Sequence, residues 1–249
     1  MMWPYPKVLA HRGGGILAPE NTIAALRCGL AQGFHAVEFD VMLSKDAVPV
    51  LMHDYEFGRT LAGTGSVAGS TAEALTAMDA GSWFGAEFSG EPVPLFEDAV
   101  AFCRHHDIWM NVEIKPVPGM EALTGEVVAA CCASLFADVA VSDAGHLPLL
   151  SSFSVTALKA AKSAAPVLPR GWLTERITPD WKSQCQELGV RALHTNHESL
   201  TPELVRQVKD AGYGLFCYTV NDPQRALELL RWGVDAFCTD RLDLIPADF

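Results

Sequence analysis

Short apolar runs rich in β-branched residues alternate with stretches of helical period along almost the whole chain. The runs are Val8–His11, Ala36–Leu43, Trp109–Lys115, Leu149–Phe153, Val167–Leu173, Val190–Thr195, Gly214–Val220 and Ala236–Thr239. Each has the length and residue types of a strand, so eight strands are predicted. A ninth run, Val48–His53, follows the second across Ser44-Lys45-Asp46 and predicts a hairpin extension of it. Between the runs lie helix signals. Thr178-Pro179, Thr201-Pro202 and Asp222-Pro223 each put a capping side chain before a proline suited to the first helical turn. Trp181, Cys185 and Leu188 then recur on one helical face. Gly33, Gly189, Gly212 and Gly233 stand where a helix must stop and a strand begin, the place for a left-handed turn.

Strands alternating with helices predict a parallel sheet covered by helices. Eight of them in a chain of 249 residues fit a closed α/β barrel, the (β/α)8 TIM barrel, better than the alternative of a doubly wound open sheet. Residues 54–94 break the rhythm with seven glycines, Trp83, Phe84 and little strand signal. Such a stretch inside a compact unit reads as a small functional insertion after the second strand, expected to cap one side of the barrel mouth. Its glycines at 63, 65 and 69 are spaced wrongly for a dinucleotide loop.

Composition narrows the function. Apolar residues make up 49% of the chain and charged residues only 19%, enough for a large core and incompatible with a disordered chain. The net charge of −12 argues against nucleic acid or anionic membrane as a partner. No apolar run reaches the ~18 residues of a membrane span, and the N-terminus lacks the basic and apolar regions of a secretion signal. The seven cysteines form no CxxC pair, which disfavours zinc and reads as small buried hydrophobes in a reducing compartment. A cytoplasmic location is expected.

The barrel rule places chemistry at the C-terminal strand ends. The first strand ends in His11-Arg12-Gly13-Gly14-Gly15, where glycine N–H groups beside Arg12 offer an anion site. In the second, Glu38 and Asp40 alternate with Val37, Phe39 and Val41, so both carboxylates point into the barrel. In the third, Asn111, Glu113 and Lys115 share the inward face. Buried like charges need a cation, a proton or basic partners. A single such pair would read as a structural salt bridge; two strands with the same inward pattern point to a site. His53 and Asp54 end the hairpin run, and His53 pairs with His11 across the carboxylates. His194 and His197, at the end of the sixth strand, are weaker candidates for the mouth. His105 and His106 read as a solvated helix end.

Together these pieces resemble the glycerophosphodiester phosphodiesterase family. His11-Arg12-Gly13 with Pro19-Glu20-Asn21-Thr22 is similar to its opening motif. Glu38-Phe39-Asp40-Val41 with His53-Asp54 is similar to its second block, and Glu113-Ile114-Lys115-Pro116 to its third. Ser151-Ser152-Phe153, Tyr218-Thr219-Val220-Asn221 and Thr239-Asp240 extend the likeness across nearly the whole chain, closest to the short cytosolic bacterial members. The resemblance implies a TIM barrel, a divalent cation and hydrolysis of a small glycerophosphodiester to sn-glycerol 3-phosphate and an alcohol. It implies Glu38, Asp40 and Glu113 as metal carboxylates, His11 and His53 as the acid/base pair, and Arg12 and Lys115 as phosphate-contacting cations. All-carboxylate ligation suits Mg²⁺ or Ca²⁺. Phe153 and Tyr218, at strand ends, are expected to pack on the glycerol carbons, with the alcohol half pointing outward past the insertion and little read. Which histidine is base, and whether the glycerol 2-hydroxyl or water attacks, stays open at this level. Two other readings compete. One is a lysolipid phosphodiesterase with Leu61, Trp83 and Phe84 lining an acyl groove. The other is a non-catalytic anion-binding barrel.

Overall fold

The computed structural model describes residues 3–140 and 145–249. Nine strands are present: β1 (Val8–Ala10), β2 (Ala36–Leu43), β3 (Pro49–Leu51), β4 (Trp109–Ile114), β5 (Leu149–Ser152), β6 (Arg170–Thr174), β7 (Ala192–Asn196), β8 (Gly214–Tyr218) and β9 (Ala236–Thr239). All but β3 run parallel, in the order β1-β9-β8-β7-β6-β5-β4-β2. Pairing of Ala10 with Val37 joins β1 back to β2 and closes the ring. The fold is the expected (β/α)8 barrel, not the open sheet. β3 pairs antiparallel with β2, as the hairpin run predicts.

Among the described residues there are eight α-helices: α1 (Ile23–Ala31), α2 (Ala72–Thr76, in the insertion), α3 (Phe96–His105), α4 (Glu121–Leu135), α5 (Val155–Ala164), α6 (Trp181–Leu188), α7 (Pro202–Asp210) and α8 (Pro223–Trp232). Thr201 and Asp222 cap α7 and α8 with a proline following, as predicted. Thr178 does not cap α6. Its hydroxyl donates to the Asp180 carboxylate, Pro179-Asp180 form a turn, and the helix begins at Trp181. Gly189 and Gly233 end α6 and α8 in the left-handed region, at φ 63° and 104°.

Strand alternation splits the core in two. Val37, Phe39 and Val41 pack outward with Val112 and Ile114 against the helices. Inside the barrel, Leu9, Ala36, Trp109, Leu149 and Ala192 fill the N-terminal end. Tyr5 stacks on Trp109 at 4.3 Å between ring centroids and plugs that end. Polar groups are therefore confined to the middle and upper layers.

Residues 54–94 are more ordered than their glycine content suggests. They hold α2 and two 3₁₀ turns, at Val67–Gly69 and Ala86–Phe88. Leu61, Val67, Leu75, Ala80 and Val93 form a core of their own against Met42, Val50 and Met52 of the hairpin. Leu61 is only 1% exposed, so it lines no groove, contrary to expectation. Turn-rich sequence hides this packing because its apolar residues lack a fixed period.

Candidate active site

Strand register builds the centre of the site. In the β2–β4 pair, Glu38 lies beside Asn111 and Asp40 beside Glu113. Oxygens of Glu38, Asp40 and Glu113 lie within 4.8 Å of one another, so these three can hold a metal ion. Burial, then the Asp40 charge, raises the Glu38 pKa to about 7. Burial and Asp40 likewise push Glu113 well above the carboxylate range. Asp40 goes the other way: burial opposes its ionisation, but Lys115 and Arg12 outweigh that and hold it low. Lys115 Nζ is 3.2 Å from one Asp40 oxygen. One anion is thus neutralised by protein cations, while two remain costly. That imbalance is what an oxygen-ligated divalent cation relieves.

Asp40 is also aimed. Asn21, with φ of 57°, donates its side-chain N–H to Asp40 at 2.8 Å and accepts the Asp40 backbone N–H at 3.1 Å. Asn21 N–H in turn donates to the Arg12 carbonyl, which ties the loop after β1 to β2. Arg12 reaches Glu20 at 2.7 Å and lies 3.5 Å from Asp40.

The glycines after His11 do not form an anion cradle. Gly13 and Gly15 donate their N–H groups to Ala10 and His11 within the loop. Gly15 instead permits close packing, since a Cβ there would sit 2.2 Å from the Asp240 carbonyl. This contact, with Ile16 N–H donating to Asp240 at 3.0 Å, sets the β1 loop against the end of β9.

Both histidines are oriented by a carboxylate. His11 Nδ1 lies 2.5 Å from Asp240 and His53 Nδ1 lies 2.6 Å from Asp54. A carboxylate only accepts, so Nδ1 carries the proton and Nε2 is the titrating nitrogen. Burial alone would lower the His11 pKa, but the Asp240 bond and the Glu38 charge raise it overall. Burial lowers that of His53, and Arg12 and Lys115 offset the pull of Asp40.

These side chains line one cavity of about 230 Å³. It brings together nine of the candidates: His11, Arg12, Glu38, Asp40, His53, Glu113, Lys115, Phe153 and Tyr218. Phe153 is 47% exposed and meets Tyr218 edge to face at 5.7 Å. Tyr218 spends its hydroxyl on Thr174 and Glu175 at the end of β6, so it offers the cavity its ring. Cys238 also faces the cavity. Burial, then Glu38 and Asp240, keeps its thiol protonated, and it serves as a small apolar wall.

The other histidines lie elsewhere. His194 is fully buried inside the barrel against Phe216, below the mouth, and burial drops its pKa to about 3. Gly171 leaves it room, because a Cβ there would sit 2.4 Å from its Nε2. His197 starts a 3₁₀ turn, where its carbonyl accepts from Arg225. Neither lines the cavity, so the expectation for the mouth fails: strand alternation turns His194 inward below the rim, and the turn carries His197 off the end of β7. Sequence reasoning gave no role to Asn21, Asp54 and Asp240, although Asp54 and Asp240 sit in short polar clusters after strands and Asn21 in the polar run before α1.

Residues 11–244 match the glycerophosphoryl diester phosphodiesterase family. The chain belongs to that family. A glycerophosphodiester phosphodiesterase of Caldanaerobacter subterraneus is 32% identical over 238 residues, covering 94% of this chain and 93% of the relative. The solved structure of a phosphodiesterase from Oleispira antarctica, in complex with the product sn-glycerol-3-phosphate, is 34% identical. It covers 98% of this chain and 94% of its own, with a TM-score of 0.86. A glycerophosphodiester phosphodiesterase of Agrobacterium tumefaciens is 26% identical, covers 98% of this chain and all of its own, and has a TM-score of 0.79. The family's phosphodiesterase chemistry thus has a matching cavity at the C-terminal ends of this barrel.

Proposed function

We propose that this phosphodiesterase, with its barrel and the 54–94 insertion acting as one unit, hydrolyses small glycerophosphodiesters to sn-glycerol 3-phosphate and an alcohol. Mg²⁺ or Ca²⁺ held by Glu38, Asp40 and Glu113 serves as cofactor. The observation that carries this reading is the carboxylate trio flanked by two carboxylate-oriented histidines in one small cavity.

The bound cation supplies positive charge toward the phosphoryl oxygens. Arg12 and Lys115 add two fixed charges on the same group. Phe153 and Tyr218 pack on the carbon face of the glycerol. Of the two histidines, His53 has the lowered pKa, so it is the better proton acceptor and the base. It accepts a proton from the attacking hydroxyl, of glycerol C2 or of water, as the new P–O bond forms; where C2 attacks, water then opens the cyclic phosphate to give sn-glycerol 3-phosphate. His11 has the raised pKa, so it is the better proton donor of the two and serves as the acid. It donates to the alcohol oxygen as that P–O bond breaks. Leu61, one of the three residues expected to line an acyl groove, is buried in the insertion's own core, which favours small diesters over lysolipids.

The test is the leaving group. On glycerophosphocholine, His11→Ala and His53→Ala should each lose about 10²-fold or more in kcat. On the p-nitrophenyl diester of glycerol phosphate, whose alcohol leaves without protonation, His11→Ala should recover most of its rate and His53→Ala should not. Recovery in the His53 variant instead would reverse the roles. Wild-type-like rates in both would remove the pair from the mechanism.

A further inference from the structure

A second depression opens beside the cavity and shares His11 and Arg12 with it. This groove of about 380 Å³ runs past Gly15, Ile16, Ala18, Glu20 and Asp240 to Trp83 and Phe84. The two depressions differ in chemistry. The first holds the carboxylate trio, Lys115, and Phe153 with Tyr218. The second has an apolar floor and aromatic wall, with Glu20 paired to Arg12 and Arg59 and Asp240 paired to His11.

The aromatic wall is held rigid although it is open to solvent. Ile16 is 53% and Trp83 42% exposed. The Trp83 indole N–H donates to the Ala80 carbonyl at 2.8 Å, which fixes the ring. Asp79 accepts the backbone N–H groups of Gly81, Ser82 and Gly90, each at 2.8 Å, and clamps the segment on both sides. Phe84 stands edge to face between Trp83 and Phe88, at 5.6 and 5.4 Å. Glu91 accepts from Ala24 N–H at 2.8 Å and ties the insertion to α1. An exposed aromatic fixed in this way loses no rotamer freedom when a ligand packs on it. The ring already takes a cation, because the Arg59 guanidinium lies 5.9 Å from its centroid.

We propose that this groove is the subsite for the alcohol half of the diester, and that it favours a short alcohol ending in a methylated ammonium over a polyhydroxylated one. The inference rests on the phosphodiesterase reading above. Since the groove meets the cavity at His11 and Arg12, a phosphoryl group centred in the cavity has one ester oxygen directed toward each depression. The glycerol takes the Phe153–Tyr218 side. The alcohol oxygen then leaves past His11, and the far end of the alcohol reaches Ile16, Trp83 and Phe84. Methyl groups match that apolar wall. The positive charge meets the aromatic wall at Trp83, since Glu20 and Asp240 are already paired with Arg12, Arg59 and His11. A second glycerol would bury hydroxyls against the same surface with few partners. The broad tolerance of the alcohol expected of an open mouth is thereby sharpened to a graded preference.

The test compares kcat/KM for glycerophosphocholine and glycerophosphoglycerol. The wild-type ratio should favour choline by about two- to fivefold, the size of one exposed cation–aromatic contact. In Trp83→Ala that preference should collapse toward unity through a loss on the choline substrate. Ile16→Ser, at a position more than half exposed, should narrow the ratio by about twofold through lost apolar contact, and it carries the test if the Trp83 variant fails to fold. Equal proportional losses on both substrates, or an unchanged ratio in both variants, would overturn the subsite. A wild-type enzyme that cleaves neither diester would instead sink the phosphodiesterase reading itself.

Discussion

The loop after β1 and the strand end after β3 each deliver one histidine to the same cavity, by different routes. His53 gets its carboxylate from the next residue, Asp54, which Arg59 clamps from the insertion. His11 gets its carboxylate from Asp240, 229 residues away at the end of β9, where Asn221 holds the other oxygen at 2.9 Å. The local dyads are alike, yet the pKa directions oppose. Both rings lose stability as cations on burial. His11 faces Glu38 at 3.7 Å, and its anionic neighbours win. His53 looks toward Arg12 and Lys115 as well as Asp40, and burial wins. Identical hardware thus titrates in opposite directions because of the charges each ring faces, which is what the proposed acid and base roles need.

The largest expected effect removes what lies between the two regions. Chelation of divalent metal should abolish glycerophosphodiester hydrolysis, and Mg²⁺ or Ca²⁺ should restore it; full activity in demonstrably metal-free protein would sink the metal assignment. Thermal unfolding gives a readout independent of turnover. Saturating metal at about 100 times Kd should stabilise the wild type by about 2.7 kcal/mol, and Glu113→Gln should lose most of that gain while still folding.

An intermediate effect separates the two dyads. Asp240→Asn and Asp54→Asn should each cost about 10- to 100-fold in kcat, the range for groups that orient a functional histidine. Activity should rise with pH as His53 loses its proton and fall as His11 loses its own. Each carboxylate raises its partner's pKa, so each amide variant should move its limb to lower pH. For Asp54→Asn this is the acid limb, and for Asp240→Asn the alkaline limb. A pH–rate profile in which both variants move the same limb would break the contrast. The smallest effect is the control. His105→Ala and His106→Ala, at the outer end of α3, should leave stability within about ±0.5 kcal/mol and activity within about twofold.

Much of the site is legible along the chain because barrel strands turn alternate residues inward. Glu38 and Asp40 declare their face from neighbours one residue away, and Glu113 with Lys115 repeats the pattern. Both histidines stand at strand ends, where the barrel rule looks for chemistry. The failures have a common cause. The glycines after His11 read as an anion loop, but the Gly13 and Gly15 N–H groups are consumed within the loop, and Gly15 lets Asp240 approach. Leu61 and Trp83 look alike in a turn-rich stretch, yet one is sealed in a small core and the other stands in solvent, held by bonds from its own backbone neighbours.

By itself the sequence determined the barrel, the inward carboxylates, and the histidines and cations at the strand ends. Those follow from periods of two and 3.6 residues and from the cost of burying like charges, which act locally. Only the tertiary structure decided the pairing of His11 with Asp240, the grip of Asn21 on Asp40, and the aromatic groove beside His11. Each depends on closing the ring between β1 and β9, on seating the loop after β1 against β2, or on docking the insertion against α1. Ring closure and docking juxtapose residues far apart in the chain, and no local pattern of polarity records which of them meet.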